Sequence, residues 1–264
     1  MLTYVHQIVV DDAEPAPERA RRVLASVRRD RDPGLIVLPE LWLHGGFGYA
    51  GWADGIGLDD PLLTELSAIA ADRRCHVHVG SVVLRHRDGP PTNTTLVYGP
   101  DGSLVARYDK IHLFGFDKGE AVAFRPGTDV VALPIGPATV GLSICFDLRF
   151  PELYRRLSDL GAELLVVPAA WPDARAEHWR VLLRARAIES QSFVCAAATA
   201  GSHAGLTMSG YSAIISPTGE MIAEASADGD AVLVADLDLD VVHRVRTEFP
   251  VLAWRRLDVA TEVD

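Results

Sequence analysis

The apolar positions of this chain fall into short runs separated by stretches with a helical period. Tyr4–Val10 is an apolar run and predicts the first strand. From Pro15 the period changes: Ala20, Val23, Leu24 and Val27 recur at helical spacing with arginines between them, the pattern of an amphipathic helix. Leu35–Leu38, after the Pro33–Gly34 turn signal, is apolar throughout, as a strand covered on both faces requires. Leu43–Gly57 is rich in Gly and aromatic residues, lacks a period and predicts a loop. Asp60–Pro61 opens a second helix carrying Leu62, Leu66, Ile69 and Ala70. His76–Leu84, Thr94–Tyr98 and Leu104–Tyr108 predict strands, the last two joined by the turn Gly99–Gly102, and Asp109–Gly127 is loop-like.

The second half alternates more clearly. Thr139–Ile144 predicts a buried strand, and Phe150–Pro151 starts the helix Glu152–Leu160. Glu163–Pro168 and Phe193–Thr199 predict strands on either side of a long helix, Arg175–Ser190. Tyr211–Ser216 and Glu220–Ala225 flank Pro217–Gly219 as a hairpin, and the strand Ala231–Asp236 precedes the helix Leu239–Arg246. No repeat, low-complexity tract or linker interrupts this order, so a single domain over residues 1–264 is expected. The class is α/β, with a mixed sheet covered by helices; two sheets packed face to face with helices outside also fit.

Composition narrows the function. A hydrophobic share of 48% supports a large core, and a net charge of −11 without basic clusters excludes a nucleic-acid-binding surface. No apolar run approaches membrane-spanning length, and the N-terminus lacks the order of a signal peptide, so no membrane partner is expected. Three widely spaced cysteines, Cys75, Cys145 and Cys195, argue against a disulfide framework and for a reducing, cytoplasmic location.

Cys145 ends an apolar strand directly before a charged turn and a helix start. Free cysteines are usually buried core residues, and Cys75 and Cys195 fit that role. The place of Cys145 instead suits a nucleophile, with free backbone N–H groups beside it. A thiol needs a base or neighbouring positive charge to react. Of the nine histidines, His44, His112, His178 and His203 lie in loops or at element ends, and none has a spacing that singles it out. Glu40, just after Leu35–Leu38, and Lys110, just after Leu104–Tyr108, stand at strand ends equivalent to that of Cys145. Each alone would be an ordinary surface charge; three reactive groups at three strand ends, where α/β sheets place their sites, make a stronger pattern. Cys75, His76 and His78 are close in sequence, but Cys75 and His76 point to opposite faces of a strand and supply too few ligands for zinc. No metal or cofactor is expected.

The segments LPELW (Leu38–Trp42), YDKIHLF (Tyr108–Phe114) and ICFDLRFPE (Ile144–Glu152) resemble the three signature segments of the nitrilase superfamily, the carbon–nitrogen hydrolases. The similarity continues through Val166–Val194 and Gly210–Glu220 and covers nearly the whole chain. The resemblance implies a four-layer α-β-β-α sandwich that forms a homodimer or higher homo-oligomer through outer helices. It implies Cys145 as nucleophile, Glu40 as general base and Lys110 as the cation that supports the oxyanion, with the backbone N–H of Phe146 completing the oxyanion hole. Glu120, in GEAVAFRPG, is similar in its spacing to a second glutamate that many members carry.

FDLRFPE and AAWPDARAEHW look closest to the branch of ω-amidase and deaminated-glutathione-amidase enzymes. That resemblance implies a small carboxyl-bearing amide as substrate, a thioester intermediate, and Arg149, Trp171 and His178 near the pocket. Arg149 is expected either to pair with a substrate carboxylate or to brace its turn against a neighbouring acid. Two other classes remain open: a nitrilase or N-acyl-transferring relative, and a non-catalytic binding module with the same fold.

Overall fold

The computed structural model describes residues 1–115 and 117–257. The end of the single-domain expectation, 258–264, lies outside the described residues. The long strands belong to one 13-stranded sheet that is folded into two leaves. The leaves meet where Leu2–Val9 and Phe193–Ala200 run parallel, with Ile8 opposite Thr199 and Val9 opposite Ala200. In the first leaf, Leu2–Val9 lies between Leu35–Val37 on one side and the antiparallel Ala231–Asp236 on the other; His76–His78, Thr92–Tyr98 and Leu104–Asp109 follow outward. In the second leaf, Phe193–Ala200 pairs parallel with Leu164–Ala169, which pairs parallel with Ala138–Leu142.

Alternation of side chains across a strand explains how the layers form. Leu35 and Val37 join Val5 and Val97 in a core shared with Val140, Leu142, Leu164 and Val166 of the other leaf. Their neighbours Ile36 and Leu38 face the opposite way, onto Val23, Leu24 and Val27 of helix Ala16–Val27 and Leu63, Leu66 and Ile69 of helix Pro61–Arg73. Behind the second leaf, helices Pro151–Asp159 and Ala176–Ser190 cover it with Leu153, Tyr154, Leu157, Trp179 and Leu183. The order is therefore helix, sheet, sheet, helix, and the face-to-face alternative is the one realised. No helix among the described residues is long and apolar enough to cross a membrane.

Three departures from the expected elements bear on the site. The run His76–Leu84 is two strands, His76–His78 and Val82–Leu84. Between them Gly80 has φ +74°, and a Cβ there would sit 1.9 Å from the Pro39 carbonyl oxygen. That close approach lets Ser81 N donate to Pro39 O (3.1 Å) and Ser81 Oγ accept from Leu41 N (3.2 Å), which braces the turn carrying Glu40. The strand expected over Thr94–Tyr98 begins two residues earlier, at Thr92. The strand Ala132–Ile135, absent from the sequence-based assignment, pairs with Ala138–Leu142 across a tight turn; its internal Pro134 hides the signal.

The chain leaves the strand Ala138–Leu142 through a single 3-10 turn, Cys145–Arg149. Asp147 organises it. Its fully buried carboxylate accepts from Ile144 N (2.9 Å), Tyr108 OH (2.7 Å), His112 N (3.0 Å) and the His112 ring at Nδ1 (2.7 Å). Tyr108 and His112 flank Lys110, so one carboxylate ties the Cys145 turn to both sides of the Lys110 segment. At the other end of the turn, the buried Arg186 guanidinium donates to Leu148 O (2.7 Å).

Replacing Asp147 by Ala is expected to cost about 3 kcal/mol, because it orphans a buried hydroxyl and backbone donors. Urea denaturation measures this; a loss below about 0.5 kcal/mol, the range of ordinary surface changes, would show that the turn holds itself. Gly80→Ala is expected to cost more than about 1 kcal/mol, seen as a lower urea midpoint at unchanged slope. A neutral result would mean that Pro39 can retreat.

Candidate active site

Glu40, Lys110 and Cys145 converge, as three strand ends must if they belong to one end of a two-leaved sheet. Lys110 Nζ lies 2.7 Å from Glu40 Oε1 and 2.7 Å from Glu120 Oε2, so both glutamates share one ammonium. All three are buried, at 2%, 1% and 3% exposure for Glu40, Lys110 and Glu120. Glu120 opens the short helix Glu120–Ala123, which interrupts the expected Asp109–Gly127 loop. Glu40 also reaches across the leaves: its Oε2 accepts from Ala170 N at 2.7 Å. Glu120 Oε2 accepts in addition from Phe114 N at 2.8 Å.

Cys145 is 8% exposed and adopts φ +48°. That left-handed backbone costs a non-glycine residue roughly 1–2 kcal/mol and turns the side chain out of the strand line. The thiol Sγ lies 3.8 Å from Ala170 O. Burial, followed by the Glu40 charge, holds the thiol well above its ordinary pKa, and Lys110 opposes them. Burial and Glu40 thus favour the thiol over the thiolate, and a nearby base would help the sulfur to react. Cys145 and Phe146 occupy the first two positions of the 3-10 turn; Asp147 N is the first to bond back, to Ile144 O (3.0 Å), which leaves the two preceding N–H groups without an acceptor in the turn.

The remaining groups respond to the same cluster. Burial alone would lower the Lys110 pKa, but Glu120 and Glu40 overcome it and keep the ammonium charged. Burial, then the nearby Glu40 charge, raises Glu120 above the usual carboxylate range against the pull of Lys110. Cys75 and Cys195 are pushed up to about 11 and about 12, chiefly by burial. The Cys195 shift is caused by burial alone; neither cysteine lines the pocket.

A pocket opens above Cys145. Phe47, Tyr49 and Trp52 of the Gly-rich loop, with Phe114, Phe146 and Trp171, form its apolar wall, and Arg149 and Arg175 its cationic part. The Arg149 guanidinium lies over the Trp171 ring, 4.8 Å from its centre, and has no acidic partner among the described residues. Among the described residues, no ion pair braces the turn through Arg149. His178 is exposed and outside the pocket wall; it meets Arg149 at 3.4 Å through Nδ1. None of His44, His112, His178 or His203 lines the pocket.

Sequence reasoning passed over Asn93, whose amide Nδ2 donates to Glu40 Oε1 (2.9 Å) and Glu120 Oε1 (2.6 Å). It lies one residue before the strand expected over Thr94–Tyr98, where a polar residue looks like a strand boundary. Asp147 and Arg175 were also unassigned.

A family model described as carbon–nitrogen hydrolase matches residues 6–247. The chain is 42% identical over 261 residues to a 2-oxoglutaramate amidase of Paenarthrobacter nicotinovorans, covering 96% of this chain and 88% of that one. It is 33% identical over 204 residues to an omega-amidase of Homo sapiens, covering 74% and 73%. Among solved structures, a CN-hydrolase superfamily protein of Xanthomonas campestris with an arsenic adduct in its active site superposes with a TM-score of 0.86 at 27% identity, covering 98% of each chain. An amidase from Nesterenkonia sp. AN1, solved as a mutant in complex with butyramide, gives 0.80 at 26% identity, covering 95% of each. With three signature segments meeting in one buried cluster and a family model spanning almost its whole length, the chain belongs to the carbon–nitrogen hydrolases.

Proposed function

We propose that this pocket hydrolyses the C–N bond of a small carboxyl-bearing amide through a thioester on Cys145. The observation that carries this is the buried Cys145 thiol in one pocket with the Glu40 carboxylate and the Lys110 ammonium. Glu40 takes the thiol proton as sulfur bonds to the amide carbon. The developing oxyanion is stabilised by Lys110 and the Phe146 N–H; one such donor is typically worth about 3–4 kcal/mol. Glu40 then returns its proton to the nitrogen, the C–N bond breaks, and ammonia or an amine leaves. Water attacks the thioester carbon, giving a proton to Glu40, and the released thiolate recovers it as the acid departs. Glu120, which lines the same pocket, holds Lys110 in place and charged. The scheme calls for no metal or cofactor.

Arg149 supports the choice of a carboxyl-bearing substrate. It is a pocket cation with no internal acid to satisfy it among the described residues, and its planar guanidinium lies over Trp171, which orients it. The first relative above acts, by its name, on 2-oxoglutaramate, an amide with a carboxylate. The aromatic wall suits the short apolar stem of such a molecule.

Further features favour a cytoplasmic homodimer. The cysteines are free. Val181 and Ile188 are exposed on helix Ala176–Ser190, and Phe249 and Trp254 are exposed after the final helix, which together offer an apolar face for a second copy.

An ammonia-release screen over small ω-amides of dicarboxylic and 2-oxo acids should find turnover in the wild-type protein and none in Cys145→Ala at an unchanged melting temperature. Undiminished release by that variant would sink the proposal. Arg149→Gln should raise KM for carboxyl-bearing amides by roughly 10–100-fold, the worth of a charge-assisted hydrogen bond, and leave an uncharged amide of equal length unaffected. Equal losses on both substrates would assign Arg149 to the scaffold instead.

A further inference from the structure

Asn93 sits in the buried strand Thr92–Tyr98 with no exposure to solvent. Thr92 and Thr94 face the other side of that strand, in a chain of hydroxyls that runs to Asp109. Asn93 faces the charge cluster. Its single nitrogen gives one N–H to each glutamate, to Glu40 Oε1 at 2.9 Å and Glu120 Oε1 at 2.6 Å. Its own backbone carbonyl accepts from Lys110 N at 2.9 Å. Asn93 and Lys110 thus each bridge the same two carboxylates, one as a neutral donor and one as a cation. The amide orientation is imposed: with acceptor oxygens on both sides, only the NH2 end can point inward. The cost is visible, because Asn93 Oδ1 is buried and makes no hydrogen bond to the described residues.

The acceptor count on Glu40 is informative. Oε1 already takes Lys110 Nζ and Asn93 Nδ2, whereas Oε2 takes only the Ala170 N–H. The free lone pair for an incoming proton is on Oε2, the oxygen tied to the residue whose carbonyl the Cys145 thiol meets.

We propose that Asn93 is a positioning residue for the hydrolytic centre: its amide holds Glu40 and Glu120 apart as charged groups and occupies Glu40 Oε1, so that the thiol proton is delivered to Oε2. This rests on the role of Glu40 and Cys145 given above. The groups facing the pair are Lys110 from the end of its strand, Cys145 from the 3-10 turn, and Tyr49 from the Gly-rich loop, whose phenol is pushed up by burial and then by the Glu120 charge. Lys110 is thus the one cation among them. Without the Asn93 donors the two carboxylates share it with less compensation, and a carboxylate that loses donors to its charged form becomes more basic.

The test reads Cys145 itself and needs no substrate. Iodoacetamide alkylation of Cys145, followed by peptide mass spectrometry from pH 4.5 to 9, reports when the base is available. In Asn93→Ala the acid limb of this profile should move up by about one pH unit, so that alkylation at a pH on that limb falls about tenfold. At a pH well above the limb the rate should stay near that of the wild type. In Asn93→Asp, isosteric and therefore least disruptive to packing, a third carboxylate should move the limb further in the same direction. Ammonia release should show the same displacement in kcat. A limb that stays in place in the isosteric variant would overturn the proposal, whatever the melting temperature does, since a merely structural asparagine would lower the amount of folded protein without moving the profile. Cys145→Ala separates the two levels: ammonia release that persists in it refutes the thioester reading, while the alkylation profile still judges Asn93.

Discussion

The structure depends on one ammonium held away from water between two carboxylates. Placing Lys110, Glu40 and Glu120 in a protein interior is unfavourable unless each is paired and its remaining hydrogen-bonding capacity is filled. The pairing is uneven: two carboxylates face one cation, which leaves one negative charge in excess. Neutral donors make up the difference. Glu120 receives the Phe114 N–H and the Asn93 amide; Glu40 receives the same amide and the Ala170 N–H. These donors come from a loop, a strand of the first leaf and the end of a strand of the second. The cluster can exist only if both leaves are closed and in register, so the fold and the site have a common requirement.

A second buried carboxylate does the corresponding work for the sulfur. Asp147 lies in the same turn as Cys145 and takes donors from Tyr108 and His112, on either side of Lys110. The left-handed backbone at Cys145 is strained, and strain of this kind persists only where surrounding contacts over-determine it. Asp147 from within the turn and Arg186 from the helix Ala176–Ser190 supply those contacts. The distance between thiol and ammonium is thus set by hydrogen bonds between elements rather than by the flexible ends of two side chains.

Much of this was legible from the chain. Unbroken apolar runs such as Leu35–Leu38 mark strands covered on both faces, and the clusters on either side of Ile36 and Val37 are the physical form of that pattern. Glu40, Lys110 and Cys145 were found because each stands at or just past the end of a predicted strand. Asn93 was missed for the converse reason: it lies three residues before Leu96, where the apolar run begins, and a polar residue there looks like a boundary. Asp147 and Arg149 are adjacent to Cys145 in sequence, yet nothing in their spacing tells that one turns inward to bind Tyr108 while the other lines the pocket. Gly80 is the same kind of case. Its necessity comes from the approach of Pro39 O, a contact between segments about forty residues apart in sequence, which no local pattern encodes.

In the proposed mechanism, the use of a carboxylate base in place of a histidine follows from the charge balance. A neutral imidazole that took the thiol proton would create a new cation and a new thiolate, two charges to be held in a space already carrying an excess negative charge. Glu40 avoids this. When the proton passes from sulfur to Glu40, one anion disappears as another appears, and the total charge around Lys110 is unchanged. The ammonium then faces a thiolate in place of a carboxylate, with the Ala170 and Asn93 donors still in position. The raised thiol pKa is therefore no obstacle: proton transfer exchanges one anion for another beside the same ammonium. The net field changes only when the substrate oxygen gains charge, and that is the moment at which Lys110 and the Phe146 N–H can act on it.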